Sequence, residues 1–198
     1  ATASRGMRSS MPRVLALMLA AGRGQRFGSD KRLARLPDGR SLLAASVEQA
    51  LQVFAQVHMV LRAEDDAQAL GMPAECRIIR CSDADQGMGH SLTAGIRALA
   101  GQDAEAIAVL LGDMPWVAAD SLRQLISQAA AERIVYPLHD GQRGHPVLFG
   151  REFWPQLQDL RGDEGARALL QTNPDACHGI VVDDPGVLRD VDRPEALL

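Results

Sequence analysis

An α/β fold, with a parallel sheet covered by helices on both faces, is the class this sequence predicts, and three observations predict it. Apolar runs bounded by turn residues alternate with amphipathic stretches from Val14 to about residue 140. The runs VLALML (14–19) and AIAVLLGD (106–113) are continuously apolar up to their ends, as strands buried on both faces require. A glycine-rich, cationic stretch, LAAGRGQRFGSDK (19–31), follows the first run directly. Ligands of open α/β sheets bind outside the carboxyl ends of strands, which is where this stretch falls.

The elements follow in order. VLALML is a buried strand, and SLLAASVEQALQVF (41–54) a helix with Ser41 as N-cap and Leu42, Ala45, Val47 and Leu51 near one face. VHMVLR (57–62) is the next strand, and AEDDAQALG (63–71) a short helix ending at Gly71. CRIIRC (76–81) is the third strand; a polar loop, SDADQGMGH (82–90), leads to a helix from about Ser91 to Leu99. After the strand at 106–113 comes a helix, ADSLRQLISQAAAE (119–132), started by Asp120 and Ser121, then the strand RIVYPL (133–138). Beyond it the regularity fails. HPVLFG (145–150) is a short strand and EFWPQLQDL (152–160) a helix broken at Pro155. GDEGARALLQTN (162–173) is a helix opening on a glycine-rich turn, and HGIVVDD (178–184) and VLRDVD (187–192) are strand-like.

The 198 residues suffice for one domain with a full core, and the apolar fraction of 46% excludes a disordered chain. A net charge of −4, scattered arginines and 4% aromatic residues argue against a nucleic-acid partner. Cys76, Cys81 and Cys177 are odd in number and form no CxxC pair, which argues against a disulfide framework or zinc site and for reduced thiols in a cytoplasmic protein. Arg8 and Arg13 before VLALMLAAG have the outline of a signal peptide, but the dense Gly/Arg/Lys pattern that follows favours a strand. No apolar run approaches the ~20 residues of a membrane span. Residues 1–12 read as an appended, disordered N-terminus, and 13–198 as a single domain.

Three loops carry the chemistry. In the first, glycines at 22, 24 and 28 give GxGxxxG rather than a dinucleotide GxGxxG, and the next helix starts late. The second strand ends in Arg62, which cannot accept a bond from a ribose hydroxyl. Lys31, the only lysine in the chain, falls too late and lacks the Ser/Thr of a P-loop. What remains is a long loop lined by Arg23, Arg26, Lys31 and Arg32, whose amides and fixed cations suit a polyphosphate. In the second, DQGMGHSL (85–92), Gly87 and Gly89 let a flat group approach the backbone; Ser91 is a candidate helix cap or base-edge reader. In the third, LLGDMP (110–115), Asp113 is a lone carboxylate at a strand end, the kind of ligand Mg²⁺ uses beside phosphates. Asp65/Asp66 and Asp183/Asp184 read as solvated loop charges, and Trp116 and Trp154 as packing residues.

With these loops in order, the sequence resembles the MobA-like nucleotidyltransferases, the molybdenum cofactor cytidylyltransferases in particular. LAAGRGQRFGSDK, GMGHSL (87–92), LLGDMP, GHPVLF (144–149), GDEGAR (162–167) and RDVDRPEAL (189–197) carry the resemblance, which covers Arg13 to Leu198. It implies a Rossmann-like three-layer sandwich of the nucleotide-diphospho-sugar transferase type, with a mostly parallel, roughly seven-stranded sheet and one reversed strand. It implies Mg²⁺-dependent transfer of a nucleotide, CMP from CTP, to the terminal phosphate of molybdopterin, with release of pyrophosphate and a molybdoenzyme as possible client. By position, Leu19, Ala20, Ala21, Gly22, Gly24, Arg26 and Lys31 would hold the triphosphate, and Gly87, Met88, Gly89 and Ser91 the base. Arg26, Lys31 and Asp113 would be catalytic, with Asp113 and Asp192 on the metal, Asp190 being the alternative to Asp192. His145, Gly162, Asp163, Gly165 and Arg167 would face the acceptor. Where the family has a pattern close to DIDTP, this chain has DVDRP, so Arg193 stands beside Asp192. Guanylyl transfer, another phosphate acceptor and a non-catalytic cofactor-holding chaperone are the competing readings.

Overall fold

The computed structural model describes residues 11–22, 29–160 and 166–191. An eight-stranded sheet forms the centre: β1 (Val14–Leu19), β2 (Val57–Arg62), β3 (Cys76–Cys81), β4 (Ala106–Leu111), β5 (Ile134–His139), β6 (Gln142–Arg143), β7 (Val147–Gly150) and β8 (Cys177–Val181). Its order is β3-β2-β1-β4-β7-β5-β6, with β8 paired to β5. β1 to β4 pair parallel to one another, β7 is antiparallel to both β4 and β5, and β8 is parallel to β5. The reversed strand is therefore β7; the two-residue β6 adds a small antiparallel hairpin on β5 that the sequence did not announce.

Side chains of β1 alternate between two cores. Ala16 and Met18 pack with Leu43 and Val47 of α1 (Leu42–Leu51) and with Leu122 and Leu125 of a second helix, Ala119–Ser127. Leu15 and Leu17 pack on the other face with Leu92 and Ile96 of the helix Met88–Leu99, and with Trp154 and Leu157 of the short helix Trp154–Leu157. In chain order these helices are α1, α2 (88–99), α3 (119–127) and α4 (154–157), followed by α5 (Arg167–Thr172). Both faces of the strands are thus covered, which explains their unbroken apolar runs. At Gly95 of α2 an added Cβ would lie 2.7 Å from Leu17 Cδ1, so the absence of a side chain there sets how closely α2 seats on β1.

Several expectations need correction. Residues 63–71 form turns, not a helix, because Asp65 bonds back to the Arg62 amide and Asp66 to that of Gln68. α2 begins at Met88, three residues early, since Gly87 takes φ 122° and occupies the N-cap; Ser91 is a buried first-turn residue and not the cap. Pro155 does not break a helix but sits in the first turn of α4, where its missing N–H is harmless. The described part of VLRDVD, residues 187–191, is not a strand: Pro185–Leu188 is a 3₁₀ turn. Ser41 does cap α1, accepting from the Ala44 amide at 3.2 Å. Trp154 packs as expected, and its Nε1 donates to Phe149 O at 2.9 Å.

Asp184 is not a solvated charge. It is 8% exposed and accepts from Ala118 N (2.9 Å), Ser121 Oγ (2.7 Å) and Gly186 N (2.9 Å), tying the start of α3 to the C-terminal segment. Asp184→Ala strands these donors and should lower unfolding free energy by about 3 kcal/mol, read from urea melts, because buried donors lose a charged acceptor.

Candidate active site

The sheet order reverses at β1: the chain goes from β1 to β2 on one side, and later returns to β4 on the other. The segments after β1 and β4 therefore part, opening a crevice at their carboxyl ends. A cleft of about 760 Å³ lies there. Its floor is Leu19 to Gly22 from the end of β1 and Leu111 to Asp113 from the end of β4. One wall is the loop after β3, with Ala84, Asp85, Gly87 and Met88, and Ser91 of α2. Lys31, Arg32, Leu42 and Asp190 complete it.

Two cations at the N-terminal loop behave differently. Lys31 Nζ donates to Asp113 Oδ2 at 2.9 Å and to Val191 O at 3.1 Å, with the two side chains 23% and 18% exposed. One ammonium thus joins the first loop, the end of β4 and the C-terminal segment. Arg32 is buried, and all five of its guanidinium N–H groups have acceptors. Nε and Nη2 donate to Asp30 (2.9 and 3.0 Å), Nη1 and Nη2 to Asp65 (2.6 and 2.9 Å), and Nη1 also to Ala20 O (2.9 Å). Arg32 therefore has no donor left for a phosphate; it is the fastener that holds the backbone at Ala20. Asp65 belongs to this buried network and is not a solvated loop charge, although Asp66 remains exposed.

Burial works against the Asp65 carboxylate, but the hydrogen bonds from Arg32 and the Arg62 amide outweigh it and hold the pKa below the ordinary 3.8. The Arg32 hydrogen bond does the same for Asp30. Burial likewise opposes the Arg32 charge, yet its bonds to Asp65 and Asp30 raise its pKa above the usual value.

A second cavity of about 340 Å³ adjoins the first and shares Leu19, Met88 and Leu111 with it. Its floor is apolar, with Val109, Val147, Phe149 and Leu170, and Arg143, His145 and Arg167 stand around it. His145 lines this second cavity and keeps solvent-exposed surface, although protein atoms crowd around its ring. Burial lowers its pKa, against the opposing pull of Asp113 and Asp190. Its amide donates to Val187 O at 2.9 Å, fixing the turn before β7.

The structure thus brings together Leu19, Ala20, Ala21, Gly22, Lys31, Asp113, Gly87, Met88 and Ser91 in the first cleft, and His145 and Arg167 in the adjoining cavity. Gly89 is buried in the first turn of α2 and does not line the cleft. Gly24, Arg26, Gly162, Asp163, Gly165 and Asp192 lie outside the described residues. Asp190, the alternative to Asp192 as second metal carboxylate, lines the cleft; sequence reasoning missed Arg143 at the second cavity. Arg143 is two residues from His145, but only the β5–β6 hairpin sets it, still exposed, at the cavity's edge beside Tyr136, with its guanidinium carbon 5.7 Å from the ring centre. Asp113 and Asp190 are hard oxygen donors in a cleft with room for phosphates, a donor set that fits Mg²⁺ or Mn²⁺ and not a soft metal.

A mostly parallel sheet, a switch-point cleft, a strand-end aspartate and a lysine poised over it define the class as an α/β nucleotidyltransferase. The chain belongs to the MobA-like NTP transferase family, whose domain profile matches residues 16–177. It is 31% identical to purine catabolism protein PucB of Bacillus subtilis, over 93% of this chain and 94% of that protein. It is 29% identical to nicotine blue oxidoreductase of Paenarthrobacter nicotinovorans (96% and 97%) and 25% identical to molybdenum cofactor cytidylyltransferase of Escherichia coli (90% and 91%). Among solved structures, Rv0371c of Mycobacterium tuberculosis superposes with a TM-score of 0.79 at 26% identity, covering 94% of this chain and 96% of that one. The same protein has also been crystallised in complex with manganese. Among the described residues, no helix is long and apolar enough to cross a membrane.

The Arg32–Asp65 pair makes a pH prediction. A carboxyl whose folded pKa is depressed contributes stability above its unfolded pKa and loses it as pH falls through the folded value. Asp65→Asn should therefore cost about 3 kcal/mol near neutral pH, because it leaves a buried guanidinium short of an acceptor. The gap to the parent chain should close as urea melts are repeated below pH 3.8.

Proposed function

We propose that this chain transfers CMP from CTP to the terminal phosphate of a molybdopterin-type acceptor, with release of pyrophosphate. The observation that carries the reading is the Lys31–Asp113 contact inside a switch-point cleft large enough for a nucleoside triphosphate, with a second cavity adjoining that cleft for an acceptor. Donor and acceptor would meet where the two cavities share Leu19, Met88 and Leu111. The relative named molybdenum cofactor cytidylyltransferase supports the choice of base and acceptor.

In this reading an oxygen of the acceptor phosphate attacks the α-phosphorus of CTP. The new P–O bond forms as the α–β bridge breaks, and the electron pair leaves on pyrophosphate. Such transfers need in-line positioning and cancellation of negative charge more than covalent help. The amides at Ala21 and Gly22, with Gly24 and Arg26, receive the triphosphate; the backbone at Gly87 and Met88 faces the base. Asp113, with carboxylates of the 190–192 segment, Asp192 among them, would hold the divalent cation, which would supply neutralisation of charge on the phosphate oxygens. Lys31 exchanges its present partners for phosphate oxygen, and a compact ammonium suits that exchange better than a forked guanidinium already satisfied, as at Arg32. His145, Arg167 and the turn with Gly162, Asp163 and Gly165 orient the acceptor.

The test is pyrophosphate release with CTP, GTP, ATP and UTP crossed against molybdenum cofactor and a few sugar phosphates, with Mg²⁺. CTP with molybdenum cofactor should be fastest. Lys31→Ala and Asp113→Asn should each slow it by about 10²–10³-fold, the loss typical of one preorganised charge. Preference for GTP moves the reading to guanylyl transfer, and near-parental rates in both variants remove the assigned roles.

A further inference from the structure

We propose that Asp83 and His90 are positioning residues for the nucleotide: together they pin the loop 84–88, one wall of the cleft, without lining the cleft themselves. The inference rests on the nucleotide-site reading above. Asp83 is the first carboxylate after β3, and the fold uses both of its oxygens. The Cys81 thiol, buried at the last position of β3, donates to Oδ1 at 3.2 Å. His90 Nδ1, in the first turn of α2, donates to Oδ2 at 2.8 Å. One carboxylate thus joins the end of a strand to the start of a helix, across the segment that faces the proposed base.

The chemistry of each partner suits this. Burial raises the Cys81 pKa, so the thiol keeps its proton and remains a donor. The bonds from Cys81 and His90 lower the Asp83 pKa, so the carboxylate stays an acceptor. Facing an ionised carboxylate, the imidazole carries its proton on Nδ1.

The loop itself is held by short-range backbone turns: Gln86 N to Asp83 O, Gly87 N to Ala84 O and His90 N to Gly87 O. Gly87, at φ 122°, gives the backbone a soft joint where the helix begins. A loop with a glycine joint and local bonds needs an anchor at both ends to keep one conformation, and Asp83 supplies it. The two side chains turn away from the cleft into a separate polar cavity of about 200 Å³, beside Thr93 and Arg97. Neither can touch the reacting phosphates from there. The pair is also partly open to solvent, with Asp83 45% and His90 19% exposed, so removing it should leave the global fold in place. Its effect falls on the fraction of molecules whose loop is ready to receive nucleotide. If that fraction drops to a tenth, apparent affinity drops tenfold with no change in chemistry.

The experiment uses the full chain. CTP affinity with Mg²⁺ is measured by calorimetry, and KM and kcat by pyrophosphate release, for the parent, Asp83→Ala, His90→Ala, the double variant and His90→Asn. Both single alanine variants should raise Kd and KM for CTP about tenfold, with kcat within about twofold. The double variant should be no worse than Asp83→Ala, because the His90 bond is already lost in that single variant. His90→Asn, whose amide nitrogen takes the Nδ1 position, should recover most of the affinity. Thermal melting of each variant accompanies the titrations and should stay close to the parent. Unchanged CTP affinity in the alanine variants overturns the inference, as does a fall in kcat at constant KM, a lack of recovery by asparagine, or loss of affinity only in step with melting temperature. A parent chain that binds none of CTP, GTP, ATP and UTP overturns the nucleotide-site reading itself, a result distinct from all of these.

Discussion

The six-residue register between β1 and β4, from Val14 opposite Ala106 to Leu19 opposite Leu111, is the constraint on which the cleft depends. The two strands come from distant parts of the chain and end level with each other. The segments that follow must part, since β2 lies on one side of β1 and the path from β4 leads to the other. Gly112 N donates to Leu19 O at 3.1 Å, so the floor stays closed just as the walls separate. A Cβ on Gly112 would reach 2.9 Å from Leu43 Cδ1, which shows how little room is left beneath that floor. The cleft is a consequence of strand order, and only its lining is a matter of local sequence.

Charge at the cleft is divided between a fixed part and an exchangeable part. Arg32 is fixed: its five donors are matched by Asp30, Asp65 and a backbone carbonyl, and removing one would strand a buried charge. Lys31, next to it, holds one carboxylate and one carbonyl at ordinary distances and stays partly open to solvent. Two adjacent basic residues thus have opposite physical characters. The same division recurs among the aspartates. Asp65 and Asp184 are buried in networks that hold segments together, while Asp113 and Asp190 face the open cleft. The C-terminal segment takes part in both: Arg189 lies over the Trp116 ring at 3.6 Å, and Val191 gives its carbonyl to Lys31.

Much of this was legible in the sequence. Continuous apolar runs announced the central strands, because strands buried on both faces leave no polar alternation. The loops after residues 19, 81 and 111 were identified as the ones that matter, and all three line the cleft. Helix limits were less legible. The helix over residues 63–71 failed because Asp65 and Asp66 offered the backbone local alternatives. α2 started early because Gly87, not Ser91, could take the conformation that opens it. Asp65 and Asp184 looked like surface charges because their partners, Arg32 and Ser121, stand 33 and 63 residues away.

By itself the sequence determined the α/β class, the places of the loops and the residue types available for a triphosphate and a cation. These depend on periodicity and on what glycine, lysine and aspartate can do locally. Only the tertiary structure decided which of those residues are spoken for. Whether a cation is free to move, whether a carboxylate is solvated and whether a histidine steadies a loop depend on groups brought close by strand order. Sequence separation hides those groups, and an ion pair or hydrogen bond is settled by distance in space.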